Sequence, residues 1–255
     1  MLNTKINGQI FKFASLGGGF SGVALSECTF QSCAIRLPLV DPTAPFHKQQ
    51  YDLARRPVIR GVELRRCATI SSGGCRLKGA IVEDTLVEEL KTDGLVQTWA
   101  TVFKHVTFKG KIGRLMFSDL FTPLDPPTSK FQQAIAKANA DYYAAVDWAL
   151  DISQAEFQDF DCRGVPSRLV RRNPETQMML TRERVLEHRD SIGAGGQYWE
   201  GLIELFLRRA EKPGGVGRSR DAIYTVPQRP PRGFYRRDII AGIEALRKAG
   251  VAEPD

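Results

Sequence analysis

Two acidic side chains and a tyrosine recur at intervals of four residues in the stretch 143–151. Tyr143, Asp147 and Asp151 would share one face of a helix, because residues four apart are neighbours on a helical surface. Two carboxylates placed in this way could act as a general acid and a general base. The alternative is an exposed polar stripe with no chemistry. Tyr143 and Asp147 are therefore the candidate catalytic residues.

Arginine dominates the last third of the chain. Residues 163–255 hold 18 Lys+Arg, 16 of them Arg, against 12 Asp+Glu, whereas residues 1–162 are close to neutral. The planar guanidinium suits carboxylates and phosphates. We expect either a solvated face with local ion pairs or an anion-binding surface. The candidate binding residues are Arg171, Arg172, Arg218, Arg220, Tyr235, Arg236 and Arg237.

The elements that must position these residues follow an unusual period. Apolar side chains recur every fifth residue at Ile152 and Phe157, and again at four positions near the N-terminus, which are Phe20, Leu25, Phe30 and Ile35. A period of five fits neither a helix nor an open strand. It predicts short strands joined by corners, with side chains turned into a common core.

The two clearest blocks, LDISQ at 150–154 and AEFQD at 155–159, resemble the pentapeptide-repeat family. The resemblance implies a right-handed parallel β-helix, a quadrilateral solenoid. The fold class is then β-rich α+β, with an inserted helix and a helical or α/β C-terminal region. Some members of that family mimic duplex DNA, which needs a negative surface, and the net charge of +7 here argues against this role. Other segments, such as 99–113, are similar to parts of bacterial proteins from which no activity carries over.

Breaks in the period predict the domain organisation. We expect a β-solenoid over 1–180, interrupted by a proline-rich loop at 38–56 and by a helix at 130–148 that Ser129 caps. A C-terminal cap or small domain follows at 181–255, with helices at 197–210 and 236–250 and a strand at 222–227. Such a cap would cover the apolar end of the last coil.

Composition restricts the classes of protein and of site. No apolar run approaches the roughly 20 residues that cross a bilayer, and the N-terminus lacks the pattern of a signal peptide. The five cysteines form no CxxC pair, so we expect small buried thiols and neither a metal site nor a cofactor. These features predict a cytoplasmic protein that does not bind membranes.

Two classes of function are compatible with this sequence. The first is a non-catalytic bacterial binding or scaffold protein that recognises a protein partner, acidic in one version, with toxin neutralisation as an analogy. The second is an enzyme for a phosphate or carboxylate substrate, with Asp147 or Tyr143 as base at the junction of helix 130–148 and the C-terminal module. Its anion clamps would be Arg171, Arg172, Arg236 and Arg237. A lesser alternative is nucleic-acid binding through the segment 217–237.

Overall fold

The computed structural model describes most of the chain. The described residues are 4–12, 15–16, 20–21, 23–31, 33–36, 40, 51–70, 75–121, 129–211 and 221–254. The predicted loop 38–56 lies largely outside them, as do Arg218 and Arg220.

Short strands build the first two thirds of the described chain, and every pair formed among them is parallel. In chain order, β1 to β16 are Thr4–Asn7, Ile10–Lys12, Ser15–Leu16, Phe20–Ser21, Val23–Ser26, Thr29–Gln31, Ala34–Arg36, Val58–Arg60, Glu63–Arg65, Ala68–Ile70, Arg76–Lys78, Ile81–Glu88, Lys91–Thr92, Leu95–Trp99, Val102–Ser118 and Leu150–Cys162.

Helices and three further strands complete the fold. Helix α1 (Lys130–Ala144) lies between β15 and β16 in sequence. The C-terminal part contains β17 (Val170–Arg171), β18 (Gln177–Thr181), α2 (Arg182–Glu187), α3 (Gly196–Glu211), β19 (Asp221–Thr225) and α4 (Arg236–Lys248). Short 3₁₀ helices occur at Leu53–Arg55, Ser167–Leu169 and Arg189–Gly195.

The predicted fold class is wrong. A parallel β-helix contains only parallel pairs, whereas the described strands form a mixed sheet of 15 strands and a second sheet of four. In the mixed sheet β19 runs antiparallel to both β16 and β18. The five-residue period reports which side chains turn inward on short strands. This period does not predict whether a strand without it, such as β19, joins the same sheet in the antiparallel direction.

The periodic side chains do face a common core where the structure describes them. Ile152 and Phe157 are fully buried, and Phe30 packs against the same hydrophobic cluster. The side chains of Phe20, Leu25 and Ile35 lie outside the described residues. Cys28 and Cys162 are buried in this cluster as well, as expected for small apolar thiols.

Residues with left-handed backbone conformation line up on successive parallel strands. Glu27, Arg66, Glu89 and Gly110 have φ values of 54°, 49°, 53° and 69°. The amide of each of the first three residues donates a hydrogen bond to the neighbouring strand. The acceptor is the carbonyl of the residue that precedes the next member of the set. Glu89, for example, donates to the Lys109 carbonyl over 3.0 Å. We call these four residues the left-handed column. A regular turn at the same point of each strand keeps neighbouring strands in register.

Helix α1 begins where the sequence predicts and ends four residues early. The Ser129 hydroxyl accepts a hydrogen bond from the amide of Gln132 over 3.1 Å, which caps the first turn. Val146 fits the apolar spacing of the helix, but it is buried in the core of the parallel strands. The chain has left the helix by then, since Ala149 donates its amide to Leu169 over 2.7 Å.

A second hydrophobic cluster holds the C-terminal elements together. Trp199 of α3 is fully buried there, and its indole N–H donates to the carbonyl of Ile239 in α4 over 2.7 Å. Gly242 permits this close approach, because a Cβ atom at that position would lie 2.5 Å from the Trp199 ring and collide with the Gly195 carbonyl. The predicted helices at 197–210 and 236–250 are confirmed as α3 and α4, and the strand at 222–227 as β19.

Candidate functional site

Tyr143 is a structural residue in this fold. Its side chain is only 4% exposed, and its phenol oxygen accepts a hydrogen bond from the Phe103 amide over 3.3 Å. Burial raises the pKa of Tyr143 well above its ordinary value, so the phenol stays protonated. Tyr143, Asp147 and Asp151 do not share a helical face, because α1 ends at Ala144 and Asp151 lies in β16. The predicted acid–base stripe is therefore not formed.

Asp147 instead lies beside His105, a residue that no sequence pattern connects to it. Its carboxylate lies 2.7 Å from Nε2 of His105, and Nδ1 of the same ring lies 3.1 Å from Asp84. The hydrogen bond from His105 lowers the pKa of Asp147. Asp84 and His105 both have left-handed backbone, with φ values of 48° and 53°, and they stand at equivalent positions on β12 and β15.

Aromatic stacking extends this cluster. The Trp148 ring centroid lies 4.7 Å from that of His105, and the Arg171 guanidinium carbon lies 4.3 Å from the Trp148 centroid. The arrangement could hold a proton between two carboxylates and present one cation. Asp147 is 69% exposed, however, and exposed charged groups are well screened by water.

The remaining predicted arginines contact separate elements. Arg236 donates to the Pro227 carbonyl over 3.1 Å and pairs with Glu156 at 3.3 Å. Arg237 pairs with its neighbour Asp238 at 3.3 Å, and its guanidinium lies 5.6 Å from the Tyr235 ring. Of the four predicted anion clamps, Arg171 contacts the Asp147 cluster through the Trp148 ring. Arg172 follows Arg171 at the end of β17.

A cavity lined by described residues lies elsewhere, beside α3. It has a volume of about 320 Å³. We call it the α3 groove. Its floor is the last part of β16 with β15, and its other walls are α3 and β19. Its charged lining residues include Asp159, Asp161, Arg163 and Asp221, and its apolar or aromatic ones include Phe160, Tyr198, Leu202, Leu205 and Phe206.

Acidic groups outnumber basic ones among the described residues of the α3 groove. Asp161 pairs with Arg163 at 2.7 Å, and Asp221 accepts hydrogen bonds from the hydroxyl and the amide of Ser167. Asp159 is exposed and makes no ion pair with any described residue. Burial, together with the negative charge of Asp159, raises the pKa of Tyr198 to about 12. Among the residues that the structure describes, the groove thus offers three carboxylates, one guanidinium and a protonated phenol.

The strand that forms the floor has an incompletely covered edge. On the side away from β15, described strands pair with β16 only at Leu150, Asp151 and Cys162. Between these points, the side-chain amide of Gln177 donates hydrogen bonds to the carbonyls of Ile152 and Ala155. Gln228 donates to the carbonyls of Glu156 and Phe157. No described strand, loop or side chain continues this cover over the residues 158–160, which line the groove.

Sequence reasoning missed the α3 groove. Its walls come from stretches far apart in the chain, so no single window of sequence contains it. One local signal was available: Tyr198 and Leu205 are apolar residues of α3 that flank the main buried stripe around Trp199 and Ile203. A helix whose apolar surface is wider than its packed stripe has a second face to cover.

Comparison with known proteins gives no assignment. No protein-family model matches the chain, and no curated protein or solved structure matches it. Among the described residues, no helix is both long enough and apolar enough to cross a membrane. The resemblance to pentapeptide repeats and the nucleic-acid alternative remain predictions. Function must then be inferred from the geometry of the sites.

Proposed function

We propose that this chain is a binding protein that holds a segment of a protein partner in the α3 groove. The observation that carries the proposal is the position of the groove beside the uncovered stretch of β16. An exposed strand edge is a template for another chain, because its backbone groups can pair with an added strand.

The walls of the groove suit the side chains of such a segment. Leu202 and Phe206 of α3 and Phe160 of β16 line it, and Leu205 also lines it with 38% of its surface exposed. A volume of about 320 Å³ is at the lower end of the range for small-molecule pockets, roughly 300–1,000 Å³. The groove could therefore accommodate side chains of a bound segment better than a large substrate.

Binding is favoured over the enzymatic alternative by the fate of the predicted catalytic residues. Tyr143 supports the core through its phenol, and Asp147 is exposed beside His105. Arg171 contacts Trp148, whereas Arg236 contacts Glu156 on β16. An anion clamp needs several cations directed at one point, and these arginines are engaged at different elements.

Site-specific crosslinking tests the proposal. We expect that photoreactive p-benzoylphenylalanine in place of Leu205 crosslinks to one partner in cells, because the partner segment lies against this residue. Leu186 on α2 is the matched control, since its exposure of 40% is nearly the same and it does not line the groove. The partner should also be retained by Leu186→Arg and lost from Leu205→Arg. Equal crosslinking at the two positions, or none at position 205, would overturn the proposal.

A further inference from the structure

The charges in the α3 groove indicate the chemistry of the segment that it holds. We infer that the groove takes an extended peptide segment carrying lysine or arginine next to apolar side chains. This inference rests on the proposed function and adds the class of the partner. The arginine content of the chain led us to expect an acidic partner, whereas the charges of the groove favour a basic one.

The first argument is the state of the carboxylates. Asp221 accepts its hydrogen bonds from the neutral Ser167 and makes no ion pair with any residue that the structure describes. Asp161 alone is paired with the one guanidinium of the groove, Arg163. Asp159 is exposed and makes no ion pair with any described residue; its register neighbour on β15, Arg114, neither pairs with it nor lines the groove. Two carboxylates are thus available to an incoming cation.

The second argument is the placement of these charges along an edge. Asp159 and Asp161 alternate with the buried Phe160 and Cys162 on β16. A strand added beside residues 158–160 would present side chains with the same period of two. Alternate residues of that segment would face the carboxylates and the apolar wall around Leu202 and Phe206. Opposite charges across such a pair also speed association and fix the register.

Two synthetic peptides test the inference directly. We use the capped, fluorescein-labelled octapeptides Thr-Lys-Leu-Lys-Leu-Lys-Leu-Thr and Thr-Glu-Leu-Glu-Leu-Glu-Leu-Thr, in which charged and apolar side chains alternate, and measure binding to the full chain by fluorescence anisotropy at low salt. We expect the lysine peptide to bind at least about tenfold more tightly than the glutamate peptide. The Asp159→Asn variant should weaken binding of the lysine peptide by about fivefold.

Glu187→Gln is the control variant. Glu187 is an acidic residue of α2 with 72% of its side chain exposed, and it does not line the groove. Its substitution should leave the affinity for the lysine peptide unchanged, and circular dichroism should show both variants folded. If the two peptides bind equally, if neither binds, or if Asp159→Asn and Glu187→Gln have the same effect, the cationic segment is refuted.

The two proposals fail in different ways. A partner crosslinked through position 205 whose crosslinked segment, identified by mass spectrometry, lacks lysine and arginine would refute the inference and leave the proposed function standing. Preferential binding of the lysine peptide without any crosslinked protein would support the chemistry of the groove and refute a protein partner in the cell.

Discussion

His105 sits between two carboxylates and against an indole ring. Only the doubly protonated ring can donate to Asp84 and Asp147 together, whereas a neutral ring donates to one of them. Asp147 gains a hydrogen bond in the folded state, and its pKa is lowered as a result. This stabilisation is present above the ordinary carboxyl pKa of 3.8 and is lost as the pH falls through the lower folded value.

The role of His105 can be checked by titration. In His105→Ala the pKa of Asp147, followed by carbon NMR of the carboxyl group, should rise towards 3.8 because its main hydrogen-bond donor is gone. Glu244 provides an internal control, since its pKa is lowered by Lys248 on α4 and should not move. An unchanged Asp147 titration would show that His105 does not hold this carboxylate.

At the level of secondary structure, the close contact of α3 with α4 depends on a missing side chain. Gly242→Ala would push a methyl group into the Trp199 ring and the Gly195 carbonyl. We expect a loss of about 1–3 kcal/mol in the free energy of unfolding, measured by urea denaturation. Gly201→Ala on α3 is the control, because nothing lies within 4 Å of its added carbon. That variant should gain about 0.5–1 kcal/mol, as alanine favours helix. Similar effects of the two substitutions would contradict the packing described.

Individual elements were largely predictable because their signals are local. The bounds of α3 and α4 follow from apolar spacing. The end of α1 was not predictable in this way. Val146 continues the helical spacing, yet its burial belongs to the core of the parallel strands, which lies far away in sequence. Tertiary packing decides such a boundary.

At the scale of the whole molecule, hydrogen bonds link the strands that carry the hydrophobic cluster of the parallel strands to those that carry the C-terminal cluster. Gln177 of β18 is 1% exposed and donates through its side chain to the carbonyls of Ile152 and Ala155 on β16, at 2.8 Å and 3.3 Å. β18 carries Met178 of the C-terminal cluster, so this amide joins the strands that bear the two cores.

Removing this link should weaken the molecule as a unit. Gln177→Leu leaves two buried carbonyls without their donor, and we expect a loss of about 1–3 kcal/mol in unfolding free energy. Gln154→Leu changes an exposed residue of β16 in the same way and should alter stability by less than about 0.5 kcal/mol. Urea unfolding compares the two variants, and equal losses would count against a joining role for Gln177.

Neither the fold class nor the α3 groove could be predicted from local sequence patterns, and the physical reason is the same for both. The period of five locates inward side chains such as Phe157, but the antiparallel addition of β19 depends on a partner, β16, about 60 residues earlier. The groove likewise combines Asp159 with Leu205, which share no sequence window. Long-range pairing sets the architecture here, and periodicity does not record it.

The left-handed column also restricts how the gene can change. Because Glu27, Arg66, Glu89 and Gly110 turn the chain at matching points, each turn must stay in register with the turns on the neighbouring strands. A single codon inserted within β12 would shift the side chains between the insertion and the turn at Glu89 to the opposite face of the strand. We therefore expect insertions and deletions to be tolerated between strands and not within them.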